Sequence, residues 1–393
     1  MSLVLVTDPD QRACLACARA LSAVGHRVLS FGPAKGLAGW SNAVERHVTG
    51  PSSLGRREDY VAAVAQAVEK FAVDLVIPIS DAASDVLLER SALLKCRVAG
   101  PDIGAYRRAS DKLAIRADAE DVGILVPKQV IVNAPNDLGR YTHDLQFPII
   151  VKPSRSVGRV GDETTKLAVT CAASIEELHT TVNSLPEFGF PVMLQERIIG
   201  EGVGVFLLRS GGHTLARFAH RRIREKPPSG GVSTYRVAVS FPETLGSQCE
   251  QLLDRIQFDG AAMIELKRDA RTGNAYLMEI NGRLWGSLQL ATDAGVNFPS
   301  ALVQLFLAGS ANPTATDYAI PTGLRWELGE IDHLLAVSRA SNGRVLESGT
   351  ASSMWRTIAA VLSIRRGDRL EVFRLTDPLP FAFEAAYWLR ALA

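Results

Sequence analysis

Two apolar stretches, Ala261-Ala-Met-Ile-Glu-Leu-Lys-Arg-Asp269 and Leu277-Met-Glu-Ile-Asn-Gly-Arg283, are each interrupted by a glutamate, Glu265 and Glu279. A carboxylate set into an otherwise apolar strand needs a partner or a metal, because an unpaired buried charge is costly. Between the stretches lies Asp269-Ala-Arg-Thr-Gly-Asn274, a turn-rich linker that closes a β-hairpin. If Asp269 pairs with Asn274 or Ala275, antiparallel register sets Glu265 opposite Met278 or Glu279. Directly opposed side chains sit about 5 Å apart at Cβ. Alternation then puts Asn281 and Arg283 on the face of Glu279. Two carboxylates, an amide oxygen and a guanidinium thus converge, offering oxygen ligands for Mg²⁺ beside a cation for an anionic substrate. The alternative is an edge hairpin whose glutamates face water.

Two further segments carry chemistry. Pro148-Ile-Ile-Val-Lys-Pro153 ends an apolar strand on Lys152, and the polar loop Ser154-Arg-Ser-Val-Gly-Arg-Val-Gly-Asp162 follows. Such a loop offers backbone N–H donors to phosphate oxygens and the lysine a point charge; read alone, though, a lysine at a strand end before a loop is more often simply solvated. Met193-Leu-Gln-Glu-Arg-Ile-Ile-Gly-Glu-Gly202 ends a strand with glutamates flanking apolar residues. It could supply an apolar slot for a purine, backbone hydrogen bonds to its edge, and a carboxylate for a ribose.

The elements that must hold these residues change along the chain. Strands at 3–7, 27–31, 74–78 and 97–99 alternate with helices at 11–24, 58–71 and 81–94, which predicts a doubly wound parallel sheet. Asp8-Pro-Asp-Gln-Arg-Ala after the first strand lacks the glycines of a dinucleotide-binding turn, which argues against that fold's usual cofactor. After Ser110 the pattern becomes α+β: a helix at 112–121, β-rich runs, a helix at 175–185, long strands at 203–209 and 214–225, a further strand at 235–240, a helix at 245–257 and the acidic hairpin. Asn312-Pro-Thr-Ala-Thr-Asp317 reads as a linker. Beyond it come helical runs at 328–341, 352–362 and 381–391, and that segment's Trp326, Trp355 and Trp388 are expected to pack on the preceding domains. The expected domains are 1–110, 111–312 and a helical extension, 313–393.

Composition bounds the function. The 393 residues are 47% apolar and 22% charged with net charge +1, which gives no electrostatic case for nucleic acid or an acidic membrane. No apolar run is long enough to span a bilayer, the start lacks signal-peptide features, and the ending Phe381-Ala-Phe-Glu-Ala-Ala-Tyr-Trp lacks a basic face for membrane contact. Five cysteines suit reduced thiols and a cytoplasmic location. Cys14-Leu-Ala-Cys17 has redox spacing, but the two share the apolar face of a helix and read as packing. The basic strand Arg217-Phe-Ala-His-Arg-Arg-Ile-Arg224 places His220, Arg222 and Arg224 on one face. A solvated edge strand competes with a substrate-anion site capped by a mobile loop from Glu225 to Thr234, which is the preferred reading.

In combination these features resemble the ATP-grasp superfamily, and within it the predicted ATP-dependent carboxylate–amine ligases. The similarity spans about residues 1–310. Its specific motifs are His220-Arg-Arg-Ile-Arg-Glu-Lys-Pro-Pro-Ser-Gly-Gly-Val-Ser-Thr234 and Met278-Glu-Ile-Asn-Gly-Arg-Leu-Trp-Gly-Ser287. The resemblance implies an N-terminal doubly wound domain, a two-lobed ATP-grasp domain and a C-terminal extension. It implies that Lys112 and Lys152 contact ATP phosphates, that Glu196, Arg197, Ile198 and Ile199 line the adenine slot, and that Glu201 holds the ribose. Glu265, Glu279 and Asn281 would bind one or two Mg²⁺ (or Mn²⁺), with Arg283 facing the acyl phosphate or carboxylate. Partners would be a small carboxylic acid and an amine, with a homodimer left open. Bicarbonate-using carboxylation or carbamoylation, and a non-catalytic ATP-binding regulator, are the rival functions. Gly282 stands where the family often has proline, and the loop at 154–161 is poor in glycine.

Overall fold

The computed structural model describes residues 1–140, 146–228, 230–309, 317–340 and 354–392. The N-terminal domain interleaves β1 (Leu3–Thr7), α1 (Arg12–Ser22), β2 (Arg27–Gly32), β3 (Arg46–Thr49), α2 (Arg57–Phe71), β4 (Leu75–Ile77), α3 (Asp81–Glu89), β5 (Arg97–Val98) and α4 (Ile103–Ser110). Its strands form one parallel sheet in the order β3-β2-β1-β4-β5, as the β/α alternation predicts. All five residues of β1 are buried, because helices cover both faces of a parallel sheet. Ser80 ends α3's approach: its hydroxyl accepts the N–H of Ala83, satisfying a first-turn donor.

A small lobe follows, with α5 (Ala114–Asp121), β6 (Gln129–Val132), β7 (Ile149–Pro153), the hairpin β8 (Val157–Val160) and β9 (Glu163–Lys166), β10 (Thr170–Ala172), α6 (Ile175–Asn183) and β11 (Val192–Glu196). Its four-stranded antiparallel sheet, β10-β7-β11-β6, packs on α6 around a core of its own, including Val151, Leu178 and Leu194. The loop expected after Lys152 is in part the β8–β9 hairpin.

The large lobe contains β12 (Gly200–Ser210), β13 (His213–Lys226), β14 (Val232–Ala238), α7 (Glu243–Arg255), β15 (Gly260–Asp269), β16 (Ala275–Asn281), α8 (Leu288–Ala294) and α9 (Phe298–Ala308). The last described segments hold β17 (Gly323–Arg325), α10 (Glu327–Ala340), α11 (Met354–Leu362), β18 (Asp368–Leu370) and α12 (Leu379–Leu392). β17 and β18 complete a seven-stranded sheet, β16-β15-β12-β13-β14-β17-β18, so the C-terminal segment is more than the helical extension read from its periodicity. Three-residue strands leave too short an alternation to be seen in sequence.

Odd and even residues of β12 serve different cores. Val205 and Leu207 pack with α7 residues Cys249 and Leu252, whereas Phe206 and Leu208 join Phe218, Trp285 and Phe298. The second core continues into the N-terminal domain through Val4, Val6, Cys14 and Cys17. Cys14 and Cys17 are therefore packing residues, and burial pushes both thiols well up, away from the reactive thiolate. Trp326 also packs against this core with Arg12 lying 3.9 Å over its ring; Trp388 instead donates to Asp332, and the side chain of Trp355 lies outside the described residues, as do 312–316 of the expected linker. The segments are tied by a buried triad: Glu371 accepts from Arg12 of α1 at 2.5 Å and pairs with Arg236 of β14. Among the described residues no helix is long and apolar enough to cross a membrane.

Candidate active site

The β15–β16 hairpin turns as the linker requires, with Asp269 N–H donating to Asn274 O and Arg268 opposite Ala275. Continued unbroken, that register would oppose Glu265 to Met278. A one-residue bulge intervenes, Leu266 pairing with Leu277 but Glu265 with Glu279, so the two carboxylates meet directly across the ladder. Met278, the extra residue, presents its carbonyl to Lys152, whose Nζ donates at 2.7 Å.

Lys112 reaches the same patch from the segment before α5. Its Nζ lies 3.5 Å from Glu279 Oε2 and donates to Ser156 Oγ at 3.2 Å, while its backbone N–H donates to Ser154 O. Asn281 Nδ2 donates to Glu279 Oε1 at 3.2 Å. On the other strand, Glu265 Oε2 takes Arg222 Nη2 at 2.5 Å, and Arg222 also reaches Glu225 Oε1 and Gly231 O. Titration behaviour follows from these contacts. Burial and the facing Glu279 push Glu265 up against the pull of Arg222. Burial would do the same to Glu279, but Lys112 and Lys152 outweigh it and hold that carboxylate down. Burial lowers Lys152 to about 8, opposed by Glu279 and aided by Lys112.

The donor set suits a hard divalent cation. Two half-buried carboxylates face one another and repel, which a cation between them would relieve, and Mg²⁺ commonly takes one or two carboxylates, substrate phosphates and waters. No group of three acidic, histidine or cysteine ligands is present among the described residues.

Other expected residues are distributed differently. Glu196, Arg197, Ile198 and Ile199 form the link from β11 to β12, joining the lobes: Glu196 exchanges hydrogen bonds with the backbone of Lys128, Ile198 is buried and Ile199 exposed. Beside it a small slot of about 20 Å³ is lined by Met193, Gln195, Leu277 and Met278. Glu201 shares parity with Val205 and Leu207, so it stands on the face of the sheet away from Glu265, paired with Arg221 at 3.4 Å. His220 is fully buried against Phe206, ring centroids 4.7 Å apart, and neither ring nitrogen has a hydrogen-bond partner. Burial, with Arg222 and Arg236 nearby, holds its pKa well below the usual value, so it is neutral. Register irregularities on either side of Arg224 break the alternation expected from Arg222; Arg224 forks onto Glu330 of α10 and lies 4.7 Å over Tyr235. His220, Arg222 and Arg224 thus do not form one anion site.

Arg283 meets a residue that the motifs do not indicate. Its Nε and Nη2 donate to Asp81 Oδ1 and Oδ2 at 2.9 and 2.8 Å, a bidentate pair reaching from α3 of the N-terminal domain. Despite burial, that carboxylate raises the guanidinium's pKa. Between α3, α4, the β8–β9 hairpin and Glu279–Asn281 lies a cavity of about 360 Å³ whose walls include Asp81, Lys112, Arg155, Gly158 and Asn281. The hairpin docks on the N-terminal domain: Arg159 pairs with Asp85 at 2.7 Å and Glu89 at 3.3 Å, and Arg57 N–H donates to Asp162 O.

Residues 190–326, which include the hairpin and the link between lobes, match a family described as ATP-grasp in the biosynthetic pathway with Ter operon. Over that stretch the chain resembles ATP-grasp proteins. The likeness of fold extends well beyond the matched region. The ADP complex of N5-carboxyaminoimidazole ribonucleotide synthetase superposes with a TM-score of 0.65 at 14% identity, covering 92% of this chain and 96% of that one. L-amino acid ligase from Bacillus licheniformis gives 0.60 at 19% identity over 78% of this chain and 74% of the ligase. In sequence, the large chain of carbamoyl phosphate synthase from Thermus thermophilus is 22% identical over 219 residues, 53% of this chain and 20% of the synthase. The chain therefore spans about a fifth of that relative's length.

Proposed function

We propose that the protein is an ATP-dependent ligase that phosphorylates a substrate carboxylate and joins the acyl group to an amine. The observation carrying this reading is the opposition of Glu265 and Glu279 beside Lys112, Lys152 and Arg283. A carboxylate oxygen attacks the γ-phosphorus of ATP, the bond to the β-phosphate oxygen breaks, and ADP leaves. The amine nitrogen then attacks the acyl carbon, phosphate departs with the bonding pair, and the amine loses a proton. Glu265, Glu279 and Asn281 would hold Mg²⁺, which neutralises charge on the β- and γ-phosphates when bound. Lys112 and Lys152 attract and orient the phosphates, and Arg283 faces the developing charge at the acyl centre. Catalysis of this kind is positioning and electrostatics, so no nucleophilic triad is required.

L-amino acid ligase among the similar structures favours an amine-bearing acceptor and small metabolite substrates. The direct test measures ADP release with Mg·ATP against pooled carboxylic acids and amines, with mass spectrometry on active pools. Acid- and amine-dependent ADP with a condensed product supports the ligase. Bicarbonate-dependent release would instead identify a carboxylase, and ATP binding without release a regulator. Glu279→Gln should abolish metal-dependent turnover; full ATP consumption by that variant would refute the metal assignment.

A further inference from the structure

Arginine has five N–H donors. In Arg283, Nε and one Nη2 hydrogen go to Asp81, the other Nη2 hydrogen to Asn281 Oδ1 at 3.1 Å, and one Nη1 hydrogen to Leu284 O at 3.1 Å. One Nη1 hydrogen remains. A free guanidinium could clamp a substrate carboxylate with two parallel bonds; held this way, Arg283 can offer a substrate oxygen a single donor. The side that would have gripped a ligand grips Asp81.

Asp81 is itself held firmly. It is the first residue of α3, directly after the capping Ser80. The N–H of Ser80 donates to Asp8 Oδ2 at 3.1 Å, and Asp8 occupies the left-handed region at φ +56°, a conformation that costs a non-glycine residue energy and persists where its surroundings impose it. The buried phenol of Tyr106 from α4 donates to Asp81 Oδ1 at 3.2 Å. A chain of contacts therefore runs from Tyr106 through Asp81, Arg283 and Asn281 to Glu279.

We propose that Asp81 is a positioning residue by which the N-terminal domain completes the metal–phosphate site. By fixing Arg283 it fixes the amide of Asn281, and through that amide the orientation of Glu279. It also stops Arg283 from swinging onto the metal-site carboxylates, where a guanidinium would compete with a cation. This rests on the ligase reading for the roles of Glu279 and Asn281; the assignment of Asp81 goes beyond it.

Mn²⁺ binding in the presence of ADP, followed by electron paramagnetic resonance, tests the idea without knowing the substrates. Asp81→Asn should bind ADP alone as the wild type does, yet take Mn²⁺ into the ADP complex about tenfold more weakly, the effect expected of a lost outer-shell partner. Asp81→Glu should recover part of the loss. Tyr106→Phe, which removes one hydroxyl and keeps the ring, should show a smaller loss and carries the test if Asp81→Asn does not fold. A merely structural ion pair would lower the melting temperature without moving Mn²⁺ affinity in folded protein. Unchanged Mn²⁺ affinity in the Asp81 and Tyr106 variants, with wild-type binding intact, refutes the proposal alone. Wild-type protein that takes up no Mn²⁺ with ADP refutes the ligase reading and this proposal together.

Discussion

Replacing Lys152 with methionine should make the protein more stable at neutral pH and weaken its hold on nucleotide. Burial lowers this lysine from 10.5 to about 8. The unfolded chain keeps its proton up to about pH 10.5, so between 8 and 10.5 the unfolded state binds more protons and stability rises with pH. Below pH 8 the folded state carries the whole cost. The difference, 10.5 − 8 = 2.5 pH units, corresponds to about 3 kcal/mol. Methionine is spared that cost but loses the Nζ bond to Met278 O, worth about 1 kcal/mol. The balance is about 2 kcal/mol in favour of Lys152→Met at pH 7, shrinking above pH 8 and reversing near pH 10. Urea or thermal unfolding of both proteins without nucleotide, at pH 7, 9 and 10.5, reads this directly. A variant less stable than wild type at pH 7, or a difference flat with pH, would show that the lysine is buried at no cost. ADP titration of the same samples should show weaker binding by the variant.

Four other outcomes follow from the geometry. Glu371→Gln leaves the guanidinia of Arg12 and Arg236 buried without their carboxylate and should cost about 3–5 kcal/mol in thermal unfolding; a loss within experimental error would mean water compensates the triad. Arg159→Ala should change overall stability by less than about 1 kcal/mol, because the side chain is half exposed, yet proteinase K should cut the β8–β9 hairpin faster; an unchanged digestion rate would show that backbone contacts alone dock it. The same docking should weaken in acid: burial raises Asp85, but Arg107 and Arg159 outweigh it and hold it at about 2, so its contribution is present above pH 3.8 and is lost as pH falls toward 2. Cys14→Ala should leave ADP release unchanged, whereas a fall would give that thiol a role its burial denies.

Much of the site is local in sequence and was legible there. Glu265, Glu279 and Asn281 lie on one hairpin whose turn names itself, and Lys152 ends a strand that periodicity marks. The bulge at Met278 left two registers open, since its position depends on how the edge strand meets Lys152 rather than on residue type. Bulges likewise hid the fate of Arg224, where strict alternation gives the wrong neighbour. The resemblance assigns Glu201 to the ribose, but the strand begins at Gly200 and its parity puts the side chain on the face away from Glu265. Asp81 carried only a weak signal: Ser80-Asp81 reads as a helix start, and nothing nearby announces a partner 202 residues later. β17 and β18 were invisible because their pairing is long-range.

The Arg12–Glu371 pair joins side chains 359 residues apart. At about 5–20 residues per second of synthesis, Glu371 emerges roughly 20–70 s after Arg12. During that interval the nascent N-terminal domain holds an arginine shaped for a carboxylate not yet made, beside Val4, Val6 and Cys14, which await Phe206 and Trp285. The half-made chain should therefore expose a sticky, cationic face while it is still on the ribosome. Expression would then be limited less by the final fold than by how well this face is shielded until the last strand arrives.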